Sequence, residues 1–138
     1  NFIIETENNQ ISNKLLSIDL RETIILEEDP NLKLNKNDPE GKAEIIKYEP
    51  SLIEIKTTSS QDAILFLSDN YYPGWIAKID DNKTKIYRAD YTFRAVFVPA
   101  GSHTVNFEYQ PDSFKIGLYI TAASALALVI FAVSLRKK

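Results

Sequence analysis

The hydrophobic pattern divides the chain into three stretches. From Ile116 to Leu135, "IGLYITAASALALVIFAVSL", twenty consecutive residues carry no charge and no proline. At about 1.5 Å of rise per residue, a helix of this run reaches about 30 Å, the thickness of a bilayer's hydrocarbon core. A core helix of a soluble domain shows a polar stripe, whereas only Tyr119, Thr121, Ser124 and Ser134 interrupt this one. The pattern therefore predicts a transmembrane helix. Its position and the side on which its basic residues fall do not suit a signal peptide. Lys115 precedes the run, and Arg136, Lys137 and Lys138 close it. A basic cluster directly after a span is held on the cytoplasmic side, so these three residues set the expected topology, with residues 1 to 114 outside.

The middle stretch, from about Ala43 to Tyr109, alternates with the period of strands. Ala43 to Glu49 and Ser51 to Ser59 flank Pro50, and the second places Leu52, Glu54 and Lys56 on one face and Ile53, Ile55 and Thr57 on the other. "AILFLS", Ala63 to Ser68, is unbroken and apolar, the pattern of a central strand. Trp75, Ala77 and Ile79 share one side of the next strand. Asp80 to Lys83 then form a turn that returns into Thr84 to Ala89. Thr92 to Pro99 and His103 to Tyr109, joined by "PAGS", complete seven strands. Short strands without intervening helices predict a mainly β fold: an antiparallel β-sandwich of jelly-roll or immunoglobulin-like kind, followed by one C-terminal transmembrane helix.

The first stretch is polar and acidic. It predicts a short helix around Ile11 to Leu16, a strand from Glu22 to Glu28 before the turn Asp29-Pro30, and a loop from Asn31 to Lys42 broken by Asn37, Asp38, Pro39 and Gly41. The expected organisation is an amino-terminal segment over 1–41, an extracytoplasmic β-sandwich over 42–114, and a transmembrane helix with a basic cytoplasmic tail over 115–138.

Composition narrows the functional classes. A chain of 138 residues suits one compact domain plus appendages. With the three terminal cations set aside, 13 basic residues face 19 acidic ones in the part expected outside. No basic stripe offers itself to phosphates, which argues against a nucleic-acid partner. Cysteine is absent, which excludes thiol catalysis, cysteine-based zinc sites and disulfides, so an exported domain must rest on core burial. The chain has no methionine and is expected to derive from a longer protein, with an export signal or earlier spans upstream.

Candidate chemistry concentrates between Leu67 and Val105, which hold seven aromatic rings, including the only tryptophan, and the only histidine. Tyr71, Tyr72 and Trp75 are candidates for a glycan-binding platform, because flat rings stack on the apolar faces of pyranoses. The competing and preferred reading is a tight turn in which Pro73 presets φ and Gly74 supplies a positive φ, delivering the indole into the core. His103, following Gly101 and with no second histidine, suits a turn role in which it bonds a neighbouring carbonyl. Asp69, Asp80, Asp81 and Asp90 could supply an acid/base pair or a calcium site, but their spacing matches no cation loop and favours turns. Arg88 and Arg94 are expected in exposed ion pairs, with Asp90 or lipid phosphates as partners. No metal and no cofactor are expected.

One long string carries a resemblance. "LSDNYYPGWIAKIDDNKTKIYRADYTFRAVFVPAGSHTVNFEYQPDSFKIGLYI" closely resembles the C-terminal region of the YfhO family of bacterial polytopic membrane proteins. The corresponding elements are Leu67-Ser68, Tyr72 to Trp75, Asp80-Asp81, Tyr87 to Val96, Val98 to Val105 and Tyr109 to Pro111. "LRETIILEE", Leu20 to Glu28, is similar to a more amino-terminal part of the same domain. The departure is Asp81-Asn82 where an Asp-Gly turn is usual, which touches only a hairpin because Asn also tolerates a positive φ.

The resemblance implies a multi-span, GT-C-like glycosyltransferase that uses lipid-linked sugars and glycosylates cell-envelope polymers such as lipoteichoic acid. In that architecture the catalytic carboxylates lie in outside loops near the amino-terminal spans, so no catalytic residue is assigned to this stretch. It would be a non-catalytic accessory domain and last span of a multi-pass cell-membrane protein, acting as scaffold or glycan holder. Its implied partners are membrane lipid, the upstream transmembrane part of the same protein and an envelope glycan or polymer. The alternative is a membrane-anchored structural or adhesive envelope domain that binds a protein through an exposed strand edge. An autonomous glycosidase would need two carboxylates about 5 to 10 Å apart in a cleft.

Overall fold

A computed structural model describes residues 2–19, 23–30 and 41–136. The chain order is β1 (Phe2–Ile4), α1 (Asn8–Leu15), β2 (Ile24–Leu26), β3 (Gly41–Glu49), β4 (Leu52–Ser59), β5 (Ala63–Asn70), β6 (Trp75–Ile79), β7 (Asn82–Thr84), β8 (Tyr87–Ala89), β9 (Phe93–Val98), β10 (Gly101–Tyr109) and α2 (Asp112–Arg136). Side-chain alternation decides how these strands assemble. β4 buries Ile53, Ile55 and Thr57, and β10 buries Val105 and Phe107 on the same side of its sheet. That sheet has the order β3-β4-β10-β6-β7 and is antiparallel throughout. The second sheet has the order β1-β2-β8-β9-β5, antiparallel except for the parallel β1–β2 pair.

The two apolar faces meet in one core. Ile53, Ile55, Ala77, Val105 and Phe107 of the first sheet pack with Leu67, Val96 and Val98 of the second. Burying each of the larger side chains contributes about 1.5–3 kcal/mol. The fold is therefore a β-sandwich. A second apolar cluster, Leu26, Ala89 and Ala95 with Phe2, Ile24, Ile64, Phe66 and Tyr87, draws on the second sheet alone.

That second cluster corrects the reading of "AILFLS". β5 is an edge strand, bonded only to β9, rather than a central one. Its run is apolar because Leu65 and Leu67 join the inter-sheet core while Ile64 and Phe66 join the other cluster. Thr84 to Ala89 is likewise not a single strand. β7 ends in one sheet and β8 begins in the other, and Ile86 packs into the core at the crossing. "PAGS" also crosses between sheets rather than closing a hairpin. Gly41, expected in a loop, opens β3 opposite Ser59. The rest of that expected loop, 31–40, and Glu22 of the expected strand lie outside the described residues. β1 has no counterpart in the expected elements.

α2 follows β10 after only Gln110 and Pro111. Its 25 residues, with a mean hydropathy of 2.3 in the most apolar window, bury none of their side chains within the chain. At about 1.5 Å per residue it reaches about 37 Å, long enough to cross a bilayer. Three of its hydroxyls are satisfied within the helix: Thr121 donates to the Gly117 carbonyl, Ser124 to Ile120 and Ser134 to Phe131. These three hydroxyls therefore need no water, which suits a hydrocarbon surround.

Candidate functional site at the helix-proximal end

Strand register places the aromatic residues at one end of the sandwich. Tyr109, the last residue of β10, pairs with Trp75, the first of β6, and its N–H donates to the Ser51 carbonyl in the β3–β4 turn at 2.9 Å. In the other sheet, Asn70 at the end of β5 pairs with Phe93 at the start of β9, and the Tyr71 N–H donates to the Thr92 carbonyl at 2.5 Å. All these termini sit at the end from which α2 leaves. The turns around Asp80 and Gly101 form the opposite end, about 25–30 Å away along the nine-residue β10.

The Tyr72-Pro73-Gly74-Trp75 turn joins the two sheets here. The Trp75 N–H closes it on the Tyr72 carbonyl at 3.4 Å, and Gly74 has φ +105°. The Gly74 carbonyl accepts the Gln110 N–H at 2.7 Å, and a β-carbon at Gly74 would stand 3.0 Å from the Tyr109 ring and 3.1 Å from Pro111 Cα. Glycine is thus required both for its backbone angle and for the close seating of the turn on the segment leading into α2.

Tyr71, Tyr72 and Trp75 do not share one open face. Trp75 is partly buried against the core, while Tyr71 is 41% and Tyr72 62% exposed. The rings form a descending series: Tyr72 to Tyr109 at 6.4 Å, and Tyr109 to Trp75 at 5.4 Å, each tilted by about 45°. Over Trp75 lies Arg94, its Cζ 4.1 Å from the ring centroid and 5.4 Å from that of Phe107.

Arg94 is the residue that sequence reasoning placed wrongly. It is 2% exposed and pairs with Asp69 at 2.9 Å, not with Asp90. Its Nε and Nη1 are buried and meet no hydrogen-bond acceptor, so aromatic faces replace acceptors on that side. Burial lowers its pKa, partly offset by the attraction of Asp69. Asp69 in turn accepts the Tyr48 hydroxyl at 3.0 Å, which raises the Tyr48 pKa. Asp90 instead accepts the Ile25 N–H at 2.7 Å, and burial raises its pKa. Arg88 faces Glu27 at 3.1 Å and donates to the Tyr91 carbonyl at 2.5 Å.

At the opposite end, Asp80 and Asp81 take φ +48° and +68° and make the two-residue turn between Ile79 and Asn82. The positive φ values thus fall on the two aspartates and not on Asn82. Asp80 accepts the Thr104 N–H at 2.9 Å and meets His103 Nδ1 at 2.6 Å, while His103 Nε2 lies 3.3 Å from the Ala100 carbonyl. Gly101, at φ +124°, leaves room for that ring. The pairing lowers the Asp80 pKa and raises that of His103. Asp69 and Asp80 lie at opposite ends of the sandwich and cannot act on one substrate. Among the described residues no group of three or more carboxylates or histidines is placed to hold a metal ion. Arg136 closes α2 in the described structure; Lys137 and Lys138 lie outside it.

The family model described as bacterial membrane protein YfhO matches residues 28–121, most of the sandwich and the first part of α2. The chain belongs to the YfhO family. A curated relative from Bacillus subtilis (strain 168), bearing the name "Uncharacterized protein YfhO", is 29% identical over 90 residues. Those residues are 65% of this chain and 10% of the relative, so the chain corresponds to about a tenth of that YfhO protein. No solved structure matches. The YfhO match takes in the Tyr72–Trp75 turn, Arg94, Tyr109 and the start of α2 together, so the helix-proximal end falls within the matched stretch. Membership in a membrane-protein family agrees with the exposed apolar α2.

Proposed function

We infer that this chain is the C-terminal extracytoplasmic accessory domain and last span of a multi-pass membrane glycosyltransferase that draws on a lipid-linked sugar and acts on cell-envelope polymers. The domain is non-catalytic. Its work is to cover the membrane-embedded active site, with Tyr71 and Tyr72 the residues that would meet a glycan. The observation carrying this reading is the placement of both exposed rings at the end from which α2 leaves, the Tyr72 ring 6.4 Å from that of Tyr109, where a lipid-linked substrate would arrive. Three of the four candidate aspartates fit it: Asp69, Asp80 and Asp90 are each engaged in holding a turn or a buried cation, and Asp81 sits in the turn at the far end.

Two measurements test it. Membranes containing the full-length protein, given a polyprenyl-linked sugar and envelope polymer, should transfer the sugar; no transfer would remove the enzyme reading. A cysteine at Lys83 should react with a membrane-impermeant thiol reagent in intact cells, whereas a cysteine at Lys137 should not. The reverse pattern overturns the orientation.

A further inference from the structure

The exposed aromatic rings of the sandwich are not scattered. Tyr48, Tyr71, Tyr72 and Tyr91, between 41% and 63% exposed, all lie at the end from which α2 leaves. The opposite end presents Ser59 to Asp62, Asp80 to Lys83 and Pro99 to Ser102, with no aromatic ring among them. The turn at Gly74 packs directly on Pro111, and Phe114, 71% exposed, follows on the first turn of α2. From Pro111 to Ile116, where the uncharged run begins, is five residues, about 7.5 Å along a helix axis. That matches the thickness of one headgroup layer, about 5–8 Å. Tyr and Trp rings favour this layer because their apolar bodies and polar tips suit its two sides.

We propose that this end of the sandwich is a membrane-contact surface: Tyr48, Tyr71, Tyr72 and Tyr91 rest among the phospholipid headgroups of the leaflet that α2 enters. The partner is the bilayer itself. With only Gln110 and Pro111 between β10 and α2, and the Gly74 carbonyl bonded to the Gln110 N–H, the sandwich cannot lift away from the lipid on a loose tether. This rests only on α2 spanning the membrane, and it gives Tyr71 and Tyr72 the lipid headgroups as their standing contact, in the same layer where a lipid-linked sugar would reach them.

The absence of cysteine allows single nitroxide labels to be placed cleanly. The chain, carrying Tyr72→Cys or Tyr48→Cys, is labelled and reconstituted in phosphatidylcholine vesicles. Collision with oxygen, which concentrates in lipid, is compared with collision with a water-soluble nickel chelate. Labels at 72 and 48 should show a several-fold higher oxygen-to-nickel ratio than a label at Lys83→Cys on the far end, with unchanged Trp75 emission showing an intact fold. If positions 72 and 48 match position 83 while Leu126→Cys reads as deep in lipid, the contact surface is refuted and the spanning helix stands. If Leu126→Cys also reads as aqueous, the spanning reading falls and the surface with it. Aqueous labels at 72 and 48 that become shielded only when soluble envelope glycan is added would assign the surface to sugar and overturn the lipid assignment.

Discussion

Arg94 lies with its guanidinium carbon 4.1 Å over the Trp75 ring while its Nη2 bonds Asp69 at 2.9 Å. The cation is 2% exposed, so the carboxylate and the ring together replace the water it lost. Removing the carboxylate leaves the charge without its counterion. Asp69→Ala should therefore destabilise the sandwich by about 2–3 kcal/mol, whereas an apolar residue of similar length at the arginine position is tolerated far better. The check is a double-mutant cycle with Arg94→Met, measured by urea unfolding in detergent and followed by Trp75 emission. The double variant should lose less stability than Asp69→Ala alone, and strictly additive losses would show that the two residues are not coupled.

Gly74 offers a second test. At φ +105°, with a would-be β-carbon 3.0 Å from the Tyr109 ring, Gly74→Ala is strained in its backbone and crowded in its surroundings. The expected loss is about 1–3 kcal/mol of sandwich stability. Gly117 in α2 has nothing within 4 Å of its would-be β-carbon. Gly117→Ala serves as the control and should leave the unfolding midpoint of the sandwich where it was.

What the sequence reveals and what it conceals follow from the range of the interactions involved. Period-two alternation along Leu52 to Ser59 is a local property, and β4 buries the face it marks. The uncharged run of α2 is legible for the same reason, since length and charge decide it. The pairing of Arg94 with Asp69 is not local: the partners are 25 residues apart and meet only because β5 and β9 are neighbours. An arginine in an alternating strand reads as exposed, and the one available signal was its position in phase with Val96 and Val98, which face the core. The crossing at Lys85-Ile86 was hidden similarly, because no proline or glycine marks it while the strand partners change. The polar, tightly turned Pro73-Gly74 segment was legible as a turn. Its seating against Pro111 and α2 depends on register across the whole sheet.

The single histidine gives an unambiguous pH experiment. His103 has its pKa raised above 6.5 by Asp80 and the Ala100 carbonyl, so its contribution to stability is complete below 6.5 and disappears as pH rises through the raised value. Asp80 has its pKa lowered below 3.8 by His103 and the Thr104 N–H, so its contribution is complete above 3.8 and disappears as pH falls through the lowered value. The pair therefore stabilises most between these limits. Titration of the imidazole resonances should place the His103 midpoint above 6.5 in the folded chain, and Asp80→Asn should bring it down. An unchanged midpoint in that variant would separate the two residues.

Asp90 tests the junction between β2 and the β8–β9 turn. It is 8% exposed and occupies φ +47°; its carboxylate accepts the Ile25 N–H at 2.7 Å and its own N–H donates to the Ile25 carbonyl at 2.8 Å. Alanine would leave the Ile25 N–H without its acceptor and put a residue less suited to positive φ in the turn. Asp90→Ala should cost about 2–4 kcal/mol, the sum of an unsatisfied buried donor and an unfavourable backbone angle. Asparagine keeps an acceptor oxygen and tolerates that angle. It also removes the desolvation that raises the Asp90 pKa, a penalty present only when the carboxylate is ionised, above its raised pKa. Urea unfolding at neutral pH should therefore find Asp90→Asn within about 1 kcal/mol of the parent, while a loss equal to that of alanine would mean the negative charge itself is what the Ile25 amide requires.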